Sequence, residues 1–327
     1  MSTGALVICF GPLGRLIDAL AAVQRLRAQK AHARLTLLTA PGLAGLARSS
    51  SLFDDVSTID LPLTPAALKA LVKTLKKRRF ARIYDLERSP RTQDIQKAFG
   101  IFAPPFAGAA ERSRWRLKQQ PPHPVDADAL LLDLAGVGGG TSLPAPGPDG
   151  EWLLRRRLGA PSLEPAFFGL ERGFVLLNLT REDDRTRWPA AQFSDLARLV
   201  IDARLDCALI GTTADRDCAR IVAGASEGIK NLCARADFYQ LAALGARAQA
   251  MIGHGGAAAR LACAAGGRTI TLHEGRADAG ATAPRGAREI ALLCENLATL
   301  DAAQVMRSLY MFEPAALRPA ARNMVER

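Results

Sequence analysis

One feature constrains the fold of this chain more than any other: short apolar, β-branched runs alternate with stretches of helical period from end to end. In the first half the strand-like runs are "ALVICF" (5–10), "ARLTLLT" (33–39), "VSTID" (56–60) and "ARIYDL" (81–86), with helical patterns near 16–29, 65–78 and 91–99. Strands that read as nearly continuous apolar runs are buried on both faces, and the helices between them make the crossovers of a parallel sheet. The run "LPAPGPDGEW" (143–152) then interrupts the pattern with proline and glycine and reads as a linker. The alternation restarts with "FVLLNL" (174–179), "DCALIGT" (206–212), "IKNLCA" (229–234), "QAMIGH" (249–254) and "RTITLHE" (268–274). Pro189 suits the first turn of one helix, and Asp237 with Gln240 makes a capping box for another. The chain of 327 residues is long enough for two cores. The expectation is an α/β protein of two doubly wound, Rossmann-like domains, 1–165 and 166–327, with a ligand cleft between the carboxyl ends of their sheets.

Composition narrows the partners. The formal net charge is +11, and basic runs occur at 73–82 (KTLKKRRFAR), 112–118 (RSRWRLK) and 153–159 (LLRRRLG), all in the first half. Such a surface calls for an anionic partner; nucleic acid, anionic lipid and a phosphorylated substrate all satisfy that requirement. Six cysteines are scattered without a CxxC pair and four histidines lack i, i+4 spacing, so neither a disulfide nor a metal site is expected. There is no apolar run of membrane-spanning length and no basic leader, which points to a cytoplasmic protein.

Three loops carry candidate chemistry. "FGPLGR" (10–15) is a glycine turn, with Gly11 and Gly14, that opens the first helix and offers backbone amides to an anion. It also sets Arg15 at a helix N-terminus, where a cation is disfavoured unless an anion shares the site. "NLTREDDRTRWPAAQF" (178–193) gathers Thr180, Arg181, Arg185 and Arg187 after a strand, and arginine forks suit phosphate oxygens, although Asp183 and Asp184 are alternative partners. "GHGGAAARLACAAGG" (253–267) runs from Gly255, Gly256 and Ala257 into a small-residue helix containing Arg260; it suits either close approach to a ligand or tight packing on the sheet.

These segments resemble glycosyltransferase family 9, the ADP-heptose:lipopolysaccharide heptosyltransferases, over nearly the whole chain. "RWPAAQFSDLARLV" is similar to the family's Lys-x-Trp-Pro segment, and "ARIYDLERSPRTQ" to its Tyr-Asp-Leu-Gln-x-Ser-x-Arg segment, which aligns Asp85, Ser89 and Arg91. "TLHEGRADAGATAPRG" is similar to the loop after the penultimate strands, with Asp278. The resemblance implies a GT-B fold and metal-independent transfer without a cofactor. It implies a nucleotide-sugar donor, ADP-heptose-like, at Thr180, Arg181, Arg185, Arg187, Gly255, Gly256, Ala257 and Arg260. An anionic, lipid-linked glycan acceptor would lie near Gly11, Gly14, Arg15 and Arg91, with peripheral contact to the inner face of an anionic membrane and no nucleic acid. The final segment, "FEPAALRPAARNMVER", would return toward the first domain.

The departures fall at the chemistry. The family's first turn reads Leu-Gly-Asp, with the aspartate as base; here it is Leu13, Gly14, Arg15, and a guanidinium accepts no proton. Its Asp-Thr-Gly-Pro-x-His signature is replaced by Gly255 to Arg260, and its lysine by Thr186. Asp18 and Asp85 are the remaining candidates for the base. Arg15 is then either an anion binder or a side chain turned out to water. A catalytically silent module that binds a nucleotide or glycan is the alternative these losses would fit.

Overall fold

The computed structural model describes residues 4–138, 140–155, 159–181 and 187–312. The chain divides between Pro148 and Asp149 into two compact units. The division falls inside the proline-glycine run and earlier than the 165/166 boundary expected from the sequence. The cause is local: Gly150 N–H donates to Ala264 O, Leu153 is buried, and Trp152 meets Tyr239 edge to face, so this stretch packs with the second half.

The first unit comprises β1 (Gly4–Ile8), α1 (Leu13–Ala28), β2 (Arg34–Thr39), α2 (Pro41–Ser49), β3 (Asp55–Thr58), α3 (Pro65–Lys77), β4 (Arg82–Asp85), α4 (Pro90–Phe99), β5 (Phe106–Gly108), β6 (Trp115–Arg116) and α5 (Pro124–Leu134). The second comprises β7 (Phe174–Asn178), α6 (Ala190–Asp202), β8 (Asp206–Ile210), α7 (Arg216–Ala223), β9 (Lys230–Asn231), α8 (Phe238–Arg247), β10 (Ala250–Gly253), α9 (Ala257–Ala264), β11 (Thr269–Glu274), α10 (Gly275–Thr282), β12 (Glu289–Cys294) and α11 (Ala302–Leu309). Among the described residues no helix is long and apolar enough to cross a membrane.

Both sheets are parallel and share one topology. Their orders are β3-β2-β1-β4-β5-β6 and β12-β11-β10-β7-β8-β9. The central strands β1 and β7 are buried on both faces, as their unbroken apolar runs require. Strand order reverses between β1 and β4 in the first sheet and between β7 and β10 in the second. At such a switch point the two following loops diverge to opposite faces and leave a crevice at the carboxyl edge. The loops after β1, β4, β7 and β10 therefore line these two crevices.

Capping follows the sequence closely. Asp237 accepts the Tyr239 and Gln240 N–H groups at the start of α8 while Gln240 returns a bond to Asp237 N–H. Pro189 sits one position earlier than expected, as the N-cap of α6 and not in its first turn. The basic run at 112–118 is partly structural: the Arg82 guanidinium lies over Trp115 at 4.0 Å from the ring centre and Arg114 at 5.0 Å.

Candidate functional site

At the first switch point the anion that Arg15 requires comes from the chain itself. Arg15, in the first turn of α1, donates through Nη2 to both carboxylate oxygens of Asp128 on α5, at 2.7 and 2.8 Å, and to Leu86 O. Arg88 donates to the same carboxylate. Asp128 is buried, so the two guanidinium groups replace the solvation it lost. Burial lowers the Arg15 pKa, but the Asp128 charge and its hydrogen bond outweigh that and raise it. Arg15 thus neither turns outward nor presents a free charge to a ligand; only its Nη1 is buried without a partner.

The glycine turn is occupied in the same way. Phe10 N–H and Gly11 N–H both donate to Glu87 Oε2, at 3.0 and 2.8 Å, so the backbone cradle holds a carboxylate of the β4–α4 loop. Gly14 is buried on α1, and Arg91 is exposed on the first turn of α4.

The second switch point concentrates polar groups in a buried setting. Arg181, just after β7, is buried with its Nη2 3.8 Å from Asp278 Oδ2 and its Nη1 3.3 Å from His254 Nδ1. His254 follows β10, and its Nε2 accepts the Trp188 N–H at 3.1 Å. A neutral imidazole that accepts at Nε2 carries its proton on Nδ1, so two donors, Nδ1–H and the Arg181 guanidinium, face each other.

Glycine is required at the β10–α9 turn. Gly253 has φ of 150° and lies against Asn178 O, while Gly256, the N-cap of α9, has φ of 117°. Gly256 is buried, and Gly255 and Ala257 are partly exposed beside it, at the helix N-terminus. Arg260 reaches Thr282 O at 3.2 Å.

Two of the expected donor residues are used internally. Thr180 donates to Asp215 Oδ2 at 2.7 Å and Arg187 donates to Asp215 Oδ1 at 3.0 Å. Burial works to raise the Asp215 pKa, but the bonds from Thr180, Thr212 and Arg187 hold it below the usual carboxylate range. Arg187 keeps half of its side chain exposed, so it is tethered and still accessible. Arg185, Thr186 and most of the final segment lie outside the described residues. The sequence reading passed over Asp128, Glu87 and His254. Asp128 was signalled by an acid within the apolar "VDADALLLDL", and Glu87 by its departure from the glutamine of the Tyr-Asp-Leu-Gln pattern.

A family model for glycosyltransferase family 9 (heptosyltransferase) matches residues 68–310. The chain belongs to this family. A family 9 glycosyltransferase from Veillonella parvula superposes with a TM-score of 0.76 over 95% of this chain and 97% of its own, at 16% identity. The Escherichia coli ADP-heptose LPS heptosyltransferase II gives 0.74 over 96% and 100%, at 18% identity. The E. coli heptosyltransferase WaaC, solved with ADP, gives 0.72 over 94% and 99%, at 15% identity. These likenesses establish the two-domain GT-B fold. A comparison with curated proteins gave no match.

Within this family 9 glycosyltransferase, Asp18 and Asp85 are poorly placed for a catalytic base. Asp18 is buried on α1. Asp85 is buried at the end of β4, where Oδ1 accepts the Arg88 N–H and Oδ2 the Thr92 hydroxyl, both at 2.8 Å. A Cβ on Gly108 would lie 2.9 Å from the Asp85 Cβ, so nothing larger than glycine fits against it.

Burial pushes the Asp85 pKa up to about 6, against the bonds from Arg88 and Thr92 and the Arg88 charge. Because the folded value exceeds the unfolded one of about 3.9, the native state binds the proton more tightly. The stability linked to this group is fully present below about pH 4 and is lost as the pH rises through about 6. Asp85→Asn keeps an acceptor for Arg88 and offers an N–H to Thr92 Oγ1. It should exceed the wild type in urea-melt stability by about 1–3 kcal/mol at pH 7, with the gain vanishing near pH 4. A gain independent of pH would show that Asp85 titrates normally.

Proposed function

We propose that this family 9 glycosyltransferase takes a nucleotide-sugar donor at the second switch point and passes the sugar to a hydroxyl of an anionic, lipid-linked glycan. The observation that carries this reading is the convergence of the buried Arg181 guanidinium and His254, 3.3 Å apart through Nη1 and Nδ1, beside the glycine-capped N-terminus of α9. A diphosphate supplies oxyanions that accept hydrogen bonds from a guanidinium and from helix N-terminal amides. As the bond from the sugar carbon to the diphosphate breaks, its electron pair moves onto phosphate oxygen. Arg181, His254 and the α9 amides stabilise that charge without a metal. An ADP-heptose-like donor is supported by the fold neighbour WaaC, solved with ADP and with ADP-2-deoxy-2-fluoro heptose.

The test is release of nucleoside diphosphate from ADP-, GDP- and UDP-sugars, with and without a deacylated lipopolysaccharide core as acceptor. Acceptor-dependent release from an ADP-sugar is the expected result. Binding without release, under every combination, would replace this reading with that of a silent binding module.

The acceptor's anionic character fits the basic surface of the first unit, and we place the protein at the cytoplasmic face of a membrane. On α3 only Val72 and Leu75 are buried; Lys69, Lys73, Lys76 and Lys77 are exposed, as are Arg78 and Arg79 beyond it. Arg78 is paired with Asp55. Exchanging Lys76, Lys77, Arg78 and Arg79 for glutamine should weaken sedimentation with anionic liposomes at low salt, by on the order of 1 kcal/mol per residue. Sedimentation equal to the wild type would reject the membrane contact.

A further inference from the structure

A sugar transfer in which the acceptor hydroxyl attacks needs a group to take its proton, and the first-turn residue, Arg15, is bound to Asp128 and Leu86 O. Asp18, Asp85 and Asp128 are all buried. Glu87 differs from them. Its side chain is partly exposed, and Oε2 is fixed in the β1–α1 turn by the Phe10 and Gly11 amides. Oε1 makes no hydrogen bond among the described residues and is not one of the buried unpartnered atoms, so it opens to solvent. A Cβ on Gly11 would lie 3.2 Å from Glu87 Oε2 and 3.3 Å from Arg15 Cβ, so the two side chains flank the same residue.

From this geometry we propose that Glu87 is the catalytic base, a reading that rests on the transfer proposed above. The loops after β1 and β4 form the switch-point crevice of the first sheet, and Glu87 brings a carboxylate into that crevice from the β4 side. In the reaction Glu87 Oε1 takes the hydroxyl proton as the acceptor oxygen forms its bond to the anomeric carbon. The bond from that carbon to the diphosphate breaks with its electron pair on the leaving oxygen, and Glu87 returns the proton to water. Two backbone donors on Oε2 set the direction of the free oxygen, so the base is oriented before the acceptor arrives. Glu87 lies close enough to Cys9 and Asp85 for its charge to act on both, and Arg15, Arg88 and Asp128 are the other charged groups acting on Cys9.

The test uses the full chain with ADP-heptose and a deacylated lipopolysaccharide core. Glu87→Gln retains acceptors for the Phe10 and Gly11 amides, so melting temperature and ADP affinity should stay near wild type while turnover falls roughly 10²- to 10⁴-fold. The acid limb of the wild-type kcat/KM profile should disappear in this variant, a change that a purely structural role would not produce. Should Glu87→Gln fail to fold, Glu87→Asp serves, with the acid limb kept at a reduced rate. Turnover of a folded Glu87→Gln within about threefold of wild type, with its acid limb intact, overturns the assignment alone. Loss of the limb in Glu87→Asp does the same. A wild type that binds the donor and transfers to no acceptor overturns the transfer reading and this one together.

Discussion

Replacing Arg15 by aspartate should lower the stability of this protein by about 3–5 kcal/mol and bring no gain in transfer rate. The family resemblance puts aspartate at this turn, and the partners Arg15 has in this fold decide what the exchange does. The difference lies in Asp128, a buried carboxylate whose charge is balanced by Arg15 at 2.7 Å and by Arg88. Arg15→Asp removes one of those cations and sets a carboxylate beside Asp128 and near Glu87, where solvent cannot screen it. An acid in the first turn of α1 gains about 0.3–1 kcal/mol from the helix dipole, too little to offset this. Arg15→Met leaves Arg88 on Asp128 and should cost less, about 1–3 kcal/mol. Urea denaturation of the three proteins measures both. An Arg15→Asp protein as stable as wild type would show that Asp128 does not depend on Arg15.

The architecture was legible because a buried parallel strand leaves a strong mark: residues 5–8 and 174–178 are apolar almost without interruption, and each became the centre of a sheet. Strands at or next to the edge leave less. β5, β6 and β9 span two or three residues each, too short for an alternation to register, and β12 has half-buried residues along most of its length. The expected strand at 229–234 shrank to Lys230–Asn231 for the same reason. At the candidate sites, the sequence located the loops that follow β1, β7 and β10, since loops after strands are read from spacing. It missed how charges pair across them. Asp128 lies 113 residues from Arg15, and Glu87 lies 76 from Gly11. Contacts at that separation are products of topology, and no local pattern encodes them. Arg181 was singled out by its residue type, whereas its closeness to His254 depends on β7 and β10 being neighbours.

The central claim is that a nucleoside diphosphate binds at the second switch point, and Arg181 carries most of it. Its guanidinium is buried, so removing it leaves a diphosphate desolvated and unpaired, at a cost of about 2–5 kcal/mol. Arg187 is half exposed and already bonded to Asp215, so its loss should weaken binding only about two- to fivefold. Titration calorimetry of ADP into the wild type, Arg181→Ala and Arg187→Ala compares the two directly. The account predicts measurable ADP binding to the wild type, a loss of roughly 30-fold or more in Arg181→Ala, and a small change in Arg187→Ala. Equal ADP affinity in the wild type and Arg181→Ala would contradict it.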